Sequence, residues 1–153
     1  MCFDVRSTSG SITSTRRPST SRRIEVRMPG LWERGGVAPF AIVGAKDGDF
    51  LGATSLIFPE DQPPTAGYWV ARWGRNRGVA TVALILVANW GFDTLGVESI
   101  TLATMLGNLA SERVAQKAGF ALIGETSDYR PPRNPETVYN VRKWERKNAS
   151  GTA

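Results

Sequence analysis

The stretch Arg75-Asn76-Arg77-Gly78-Val79-Ala80 sets two guanidinium groups and a glycine just ahead of the apolar run Val82–Trp90. The run repeats at steps of three and four, so the loop ends at a helix N-terminus. Such an end presents backbone N–H groups with no intrahelical acceptor, and the helix dipole favours negative charge there. Arg75 and Arg77 add charged donors suited to phosphate. Gly78 leaves the backbone open to an approaching oxygen, and Thr81 offers a hydroxyl in the first turn. The chemistry on offer is anion binding. The bland alternative is a solvated, charged helix start. The spacing fits neither the Gly-Lys-Ser/Thr phosphate loop nor the Gly-x-Gly-x-x-Gly dinucleotide turn.

Other chemistry is scarce. The chain has no histidine. It therefore lacks the commonest general base and the commonest metal ligand, and no metal site is expected. Cys2, the single cysteine, cannot close an internal disulfide and sits in a polar terminus, which suits a reducing, cytoplasmic setting. No apolar run approaches the roughly 20 residues of a membrane span, so no membrane partner is expected. The net charge of +5 is concentrated at one end. Within residues 1–23, Arg6, Arg16, Arg17, Arg22 and Arg23 face only Asp4, leaving the rest of the chain near neutrality. A basic face for nucleic acid is not indicated.

The elements that must position the loop follow from the patterning. A chain of 153 residues, 41% apolar, is long enough for one domain with a core. Residues 1–23 hold ten Ser or Thr and little apolar surface, so they read as a disordered tail; residues 148–153 read as a second tail. The tail's Arg- and Ser-rich makeup loosely resembles a transit peptide. Residues 24–147 form the domain. Ile24, Val26 and Met28 alternate like a short strand, yet the same stretch could end a helix before Pro29-Gly30. Phe40–Val43 and Phe50–Phe58 flank the turn residues Lys46-Asp47-Gly48-Asp49 and read as a hairpin. Ala66–Ala71 is a third strand. A helix runs from Gly78 to about Leu95, with Gly96 past its end. Ser99–Thr104 is a β-branched strand. A second helix starts at the N-cap Asn108, turns Val114, Ala115 and Ala118 inward and stops at Gly119. Ala121–Gly124 and Glu136–Trp144 are final strands around a polar loop. The strand–helix–strand at the centre should be a right-handed parallel crossover, with antiparallel strands on both sides. The fold class is mixed α/β with one sheet.

These stretches together resemble the GCN5-related N-acetyltransferases, the GNAT superfamily. Arg75–Ala80 is similar to the superfamily's Arg/Gln-x-x-Gly-x-Gly/Ala pyrophosphate loop, Gly67–Val70 to the strand before it, and Gly107–Phe120 to its Asn-containing helix ending in Gly-Phe. The wording is most similar to the branch of the ribosomal-protein alanine N-acetyltransferases. The resemblance extends from about Trp32 to Lys143. It implies a mostly antiparallel sheet with a central parallel crossover splayed around acetyl-CoA, the co-substrate, and transfer of its acetyl group to a primary amine by direct attack on the thioester.

The resemblance also implies site residues. Arg75, Asn76, Arg77, Gly78, Val79, Ala80 and Thr81 would cradle the pyrophosphate. Trp69 and Val70 would pair with the pantetheine arm as an added strand does, and the Val70 N–H would polarise the thioester carbonyl. Asn108 would reach the arm between the strands. The helix position where many members carry a proton-donating tyrosine is Ala115 here; the branch's serine matches Ser111. Glu125 and Asp128 lie where related enzymes place a base, though the best-matched position is Arg130. An α-amine, with a pKa near 8 against about 10.4 for lysine, asks least of a weak base. The expected acceptor is accordingly a protein N-terminal amine or a small-molecule amine. Trp90 fits core packing. Trp73 could cover a ligand, and Trp32 and Phe40 could line the acceptor pocket or the core. The N-terminal region departs most from the superfamily, which keeps open a catalytically impaired CoA-binding or assembly protein. A homodimer is possible.

Overall fold

The computed structural model describes residues 11–13, 24–27, 36–131 and 134–149. Eight strands and two helices follow in the order β1 (Ser11–Thr13), β2 (Ile24–Arg27), β3 (Val37–Gly44), β4 (Phe50–Ile57), β5 (Thr65–Val70), α1 (Val79–Leu95), β6 (Ser99–Met105), α2 (Leu109–Lys117), β7 (Ala121–Tyr129) and β8 (Tyr139–Lys147). They build one sheet in the order β1-β2-β3-β4-β5-β6-β8-β7. Every pairing is antiparallel except β5 with β6, which α1 connects. This is the expected mixed sheet with one parallel crossover at its centre.

The core lies between one face of this sheet and α1. Ala38, Phe40 and Ile42 of β3 stand opposite Leu56, Thr54 and Gly52 of β4 in the ladder, and Leu56 stands opposite Ala66 of β5. Alternation by two therefore carries one apolar face across three strands. Leu84, Leu86 and Val87 of α1, Ile100 of β6 and Trp144 of β8 close over it. Each fully buried Leu or Ile side chain contributes roughly 1.5–3 kcal/mol. Trp90 is buried edge-on against Phe40, ring centres 5.0 Å apart, so both aromatics are core. Phe40 thus lines no acceptor pocket, and Trp32 lies outside the described residues. Two buried polar contacts brace it: Thr54 Oγ1 donates to the Gly67 carbonyl and Trp144 Nε1 donates to Thr104 Oγ1.

Three expectations change. The ambiguous stretch at Ile24–Arg27 is a strand, antiparallel to β3, so the hairpin edge is covered. Ser11–Thr13 falls within the stretch read as disordered, yet it adds a further strand to β2. Main-chain hydrogen bonding to a ready edge needs no apolar side chains, so composition carried no sign of it. The rest of residues 1–23, with Cys2, lies outside the described residues. The polar loop after Gly124 is shorter than expected, because β7 runs on to Tyr129. Its residues are mostly exposed, and its ladder to β8 shifts register between Leu122 and Gly124 and again between Thr126 and Tyr129. An edge strand of this kind has no hydrophobic alternation to read.

Candidate active site

The parallel pairing of β5 and β6 stops almost as it starts. Thr65 pairs with Thr101 and Ala66 with Leu102, and no further pair follows. The remainder of β5 stays on β4 up to Val70. The Ala71 N–H donates to the Leu51 carbonyl at 2.8 Å, which fixes the parity of that ladder. In an antiparallel pair alternate residues turn both backbone groups to the same neighbour. Trp69 and Gly67 therefore face β4, while Tyr68 and Val70 turn their N–H and C=O groups toward the gap that β6 leaves. Sequence reading assigned the strand-like contact to Trp69 and Val70; the register turns the backbone groups of Tyr68, rather than Trp69, toward the gap beside those of Val70. Gly52 of β4 holds this arrangement close, since a Cβ there would lie 2.2 Å from the Trp69 carbonyl oxygen.

A single turn of 3-10 helix, Arg72–Gly74, leads from β5 to the loop. Asn76 and Gly78 both have positive φ, +57° and +73°. Asparagine and glycine are the residues that tolerate this conformation. Gly78 is the N-cap of α1 and brings no capping side chain, and a Cβ on it would meet nothing within 4 Å. The first N–H groups of α1, from Val79 to Thr81, thus keep their unmet hydrogen-bonding capacity beside open space. Arg75 Nε donates to the Val70 carbonyl at 3.2 Å, tying the loop to the end of β5.

Across the gap stands α2. Asn108 Oδ1 accepts from the Ser111 N–H at 3.2 Å, a regular N-cap. The two helix starts and β5 enclose a cleft of about 790 Å³. Of the residues expected to bind the co-substrate, Trp69, Val70, Arg75, Asn76, Gly78, Ala80, Thr81, Asn108 and Ser111 line it. Two do not. Val79 is buried in the core, and Arg77 turns back so that Nη1 donates to the Trp73 carbonyl. Any part they play is through their backbone. Trp73 is exposed, anchored by Nε1 to the Phe50 carbonyl and absent from the cleft wall.

The expected acids are elsewhere. Glu125 lies in β7, bonded to Arg142 Nε at 2.6 Å, and Arg142 Nη1 also reaches the buried Glu112 at 2.5 Å. These two carboxylates raise the Arg142 pKa above its ordinary value. Asp128 is exposed, 3.5 Å from Arg130. Neither Glu125 nor Asp128 lines the cleft. Sequence reasoning missed Tyr68, Arg113, Val114 and Lys117, which do. Ala110, Arg113, Val114 and Lys117 fall three, four and seven apart, so the helical repeat already placed them on one face. Arg75, Arg113 and Lys117 make the lining cationic, with no carboxylate on it among the described residues. Ala115, the position of the superfamily's usual tyrosine, is fully buried in the core.

A profile of the acetyltransferase (GNAT) domain matches residues 5–121, and the chain belongs to that family. The match begins well before Trp32, where the resemblance in motifs set in. Over 84 residues the chain is 34% identical to a Bacillus subtilis protein named "Probable N-acetyltransferase YjcK", covering 53% of this chain and 46% of that one. The chain thus spans about half the length of the curated relatives it matches. Among solved structures, the ribosomal-protein-S5-alanine acetyltransferase of Vibrio fischeri superposes with a TM-score of 0.66 at 18% identity, covering 80% of this chain and 68% of that one. RimJ of Mycobacterium smegmatis, solved with a CoA disulfide, superposes with a TM-score of 0.66 at 22% identity, covering 79% and 57%. Among the described residues no helix is long and apolar enough to cross a membrane.

Proposed function

We infer that this chain transfers the acetyl group of acetyl-CoA to a primary amine, by direct attack of the amine on the thioester. The observation that carries the reading is the early parting of β5 from β6, which leaves the Val70 N–H facing the same cleft as the start of α1. The N–H groups of Val79–Thr81, with Arg75 beside them, are suited to a pyrophosphate. The inward backbone groups of Tyr68 and Val70 suit an amide-bearing arm laid along β5 as an extra strand. The Val70 N–H would then donate to the thioester oxygen as charge develops there. Arg113 and Lys117 leave further cationic groups for the donor's phosphates.

The proton chemistry narrows the acceptor. The attacking amine must be neutral, and of the two expected acids Glu125 is held in the Arg142 ion pair and Asp128 lies beside Arg130. A cleft wall with no carboxylate among the described residues favours an amine of low pKa that can lose its proton to bound water, such as a peptide α-amine. A protein N-terminus or a small-molecule amine of that kind, met in the cytoplasm, is the proposed acceptor. The same missing carboxylate is what favours the second reading, a CoA-binding protein with impaired catalysis. Acetyl-CoA turnover against peptides, amino acids, polyamines and aminoglycosides separates the two. Release of CoA with a peptide or other low-pKa amine supports transfer. Binding without turnover for any amine supports the second reading. Efficient acetylation of lysine side chains alone would overturn the α-amine preference.

A further inference from the structure

Three large aromatic side chains stand in water around the end of β5. Trp69 is 53% exposed, Phe50 45% and Trp73 66%. They are joined rather than scattered. The Phe50 and Trp69 rings meet with centres 5.7 Å apart and a tilt of 60°, and Trp73 Nε1 donates to the Phe50 carbonyl at 2.9 Å. Residues from the start of β4, the end of β5 and the 3-10 turn are thereby held as one aromatic ledge. Apolar surface gathered in this way marks a place that something covers. The ledge is continuous with the cleft, because Trp69 lines the cleft wall.

The ledge also lies on the side from which an acceptor must come. Tyr68 and Val70 pack their side chains against the core that α1 and α2 share, so alternation sends the Trp69 side chain out of the opposite face of the sheet. A carbonyl accepts a hydrogen bond near its own plane. A thioester that accepts from the Val70 N–H within the sheet therefore turns the two faces of its carbon above and below the sheet. Helices and core fill one side. The amine is left to approach from the side of Trp69, and whatever follows the amine passes over the Trp69 and Phe50 rings.

We propose that Phe50 and Trp69, with Trp73 beside them, select the acceptor: a peptide N-terminus with a large apolar side chain at its first or second residue. That side chain lies on the ledge while the α-amine meets the acetyl carbon. The inference rests on the acetyl-transfer reading and adds to it the chemistry of the acceptor. The Trp73 N–H is already engaged by Phe50, and the exposed rings offer apolar area, so the ledge recognises surface rather than hydrogen-bonding groups.

Peptides of equal length beginning Ala-Ala, Phe-Ala and Ala-Phe test this, with a polyamine as an acceptor that has no apolar side chain. The wild-type chain should acetylate one of the two Phe peptides with a kcat/KM about tenfold or more above that of the Ala-Ala peptide. Calorimetric binding of the same peptides to the CoA-loaded chain, a readout free of turnover, should follow the same order. Phe50→Ala and Trp69→Ala should each bring the ratio of the peptides to within about threefold, and Phe50→Leu should keep part of the preference. Phe50 does not line the cleft, so Phe50→Ala should leave the CoA Kd within about twofold and the thermal melt little changed. Equal rates for the three peptides, a preference that survives both alanine variants, or a polyamine preferred to every peptide would overturn the proposal and leave acetyl transfer standing. A dimer in sedimentation that both alanine variants dissociate would also overturn it, because the ledge would then join two copies of the chain. Binding of CoA with no amine acetylated would refute the acetyl-transfer reading itself, and the acceptor with it.

Discussion

Gly78→Asp should separate the fold from its ligand. At the N-cap of α1 an aspartate is a good residue: against glycine it gains a few tenths of a kcal/mol as a cap, and its charge at the helix start adds about 0.3–1 kcal/mol. Against this stands the φ of +73°, which an L side chain adopts at a cost of roughly 1–2 kcal/mol, aspartate toward the lower end. The Cβ itself meets nothing within 4 Å. The balance is within about 1 kcal/mol, which for a domain of this size moves Tm by roughly 2–4 °C at most. Binding is another matter. The carboxylate would stand where the first N–H groups of α1 receive an anion. Two unit charges about 4 Å apart repel by about 4 kcal/mol at an effective dielectric of 20. Even with half of that screened, binding should weaken about thirtyfold, and more in low salt. Titration calorimetry with CoA, paired with a thermal melt, gives both numbers. Gly78→Asn supplies the uncharged control and should lose much less. A CoA affinity within threefold of wild type, with the melt unchanged, would refute the assignment of this helix start as the anion site.

Gly52→Ala drives a methyl group to 2.2 Å from the Trp69 carbonyl, so β5 must move; Tm should fall by several degrees and CoA binding weaken with it, whereas Gly36→Ala at an open turn should leave CoA binding intact. Arg142→Ala strands the buried Glu112 carboxylate and should lower Tm clearly, and adding Glu112→Gln should restore part of the loss by removing the unpaired charge. Tyr68 and Tyr129 both hold their protons to a higher pH in the folded chain than the ordinary value of 10.0. A raised folded-state pKa gives stability that is complete below that value and is lost as pH rises through the folded one. Melts between pH 8 and 11 should therefore show Tm falling above about 10, and less steeply in Tyr68→Phe; an equal slope in the variant would contradict the assignment.

Much of this was legible in the sequence because local chemistry and global fold agree. Gly96 past α1 and Gly119 past α2 both adopt positive φ, and the Asn108 cap forms as its spacing required. The loop at Arg75–Ala80 lies where a helix start and a strand end meet, which the apolar runs on either side already dictated. What escaped depended on partners far along the chain. Tyr68 reads as one of a strand's alternating residues, and nothing local says that its hydroxyl is buried without a hydrogen-bond partner. The division of backbone groups between Trp69 and Tyr68 follows from a single bond to Leu51, and no composition reveals ladder parity. Glu125 looked like a free loop acid because β7 is exposed on both sides; its ion pair with Arg142 exists only through the register with β8. Arg77 shows the limit of charge as a signal, since it points back to Trp73 while Arg113 and Lys117, on a helix read mainly for its apolar face, take the cleft.

The central claim is that acetyl-CoA lies between β5 and β6. A crystal structure of the chain grown with CoA tests it most directly. The account predicts the pyrophosphate on the N–H groups of Val79–Thr81, the arm hydrogen-bonded to the backbone of Tyr68 and Val70, and the sulfur beside Ser111. CoA bound elsewhere on the molecule, or the arm lying clear of β5 with those backbone groups unmet, would contradict it.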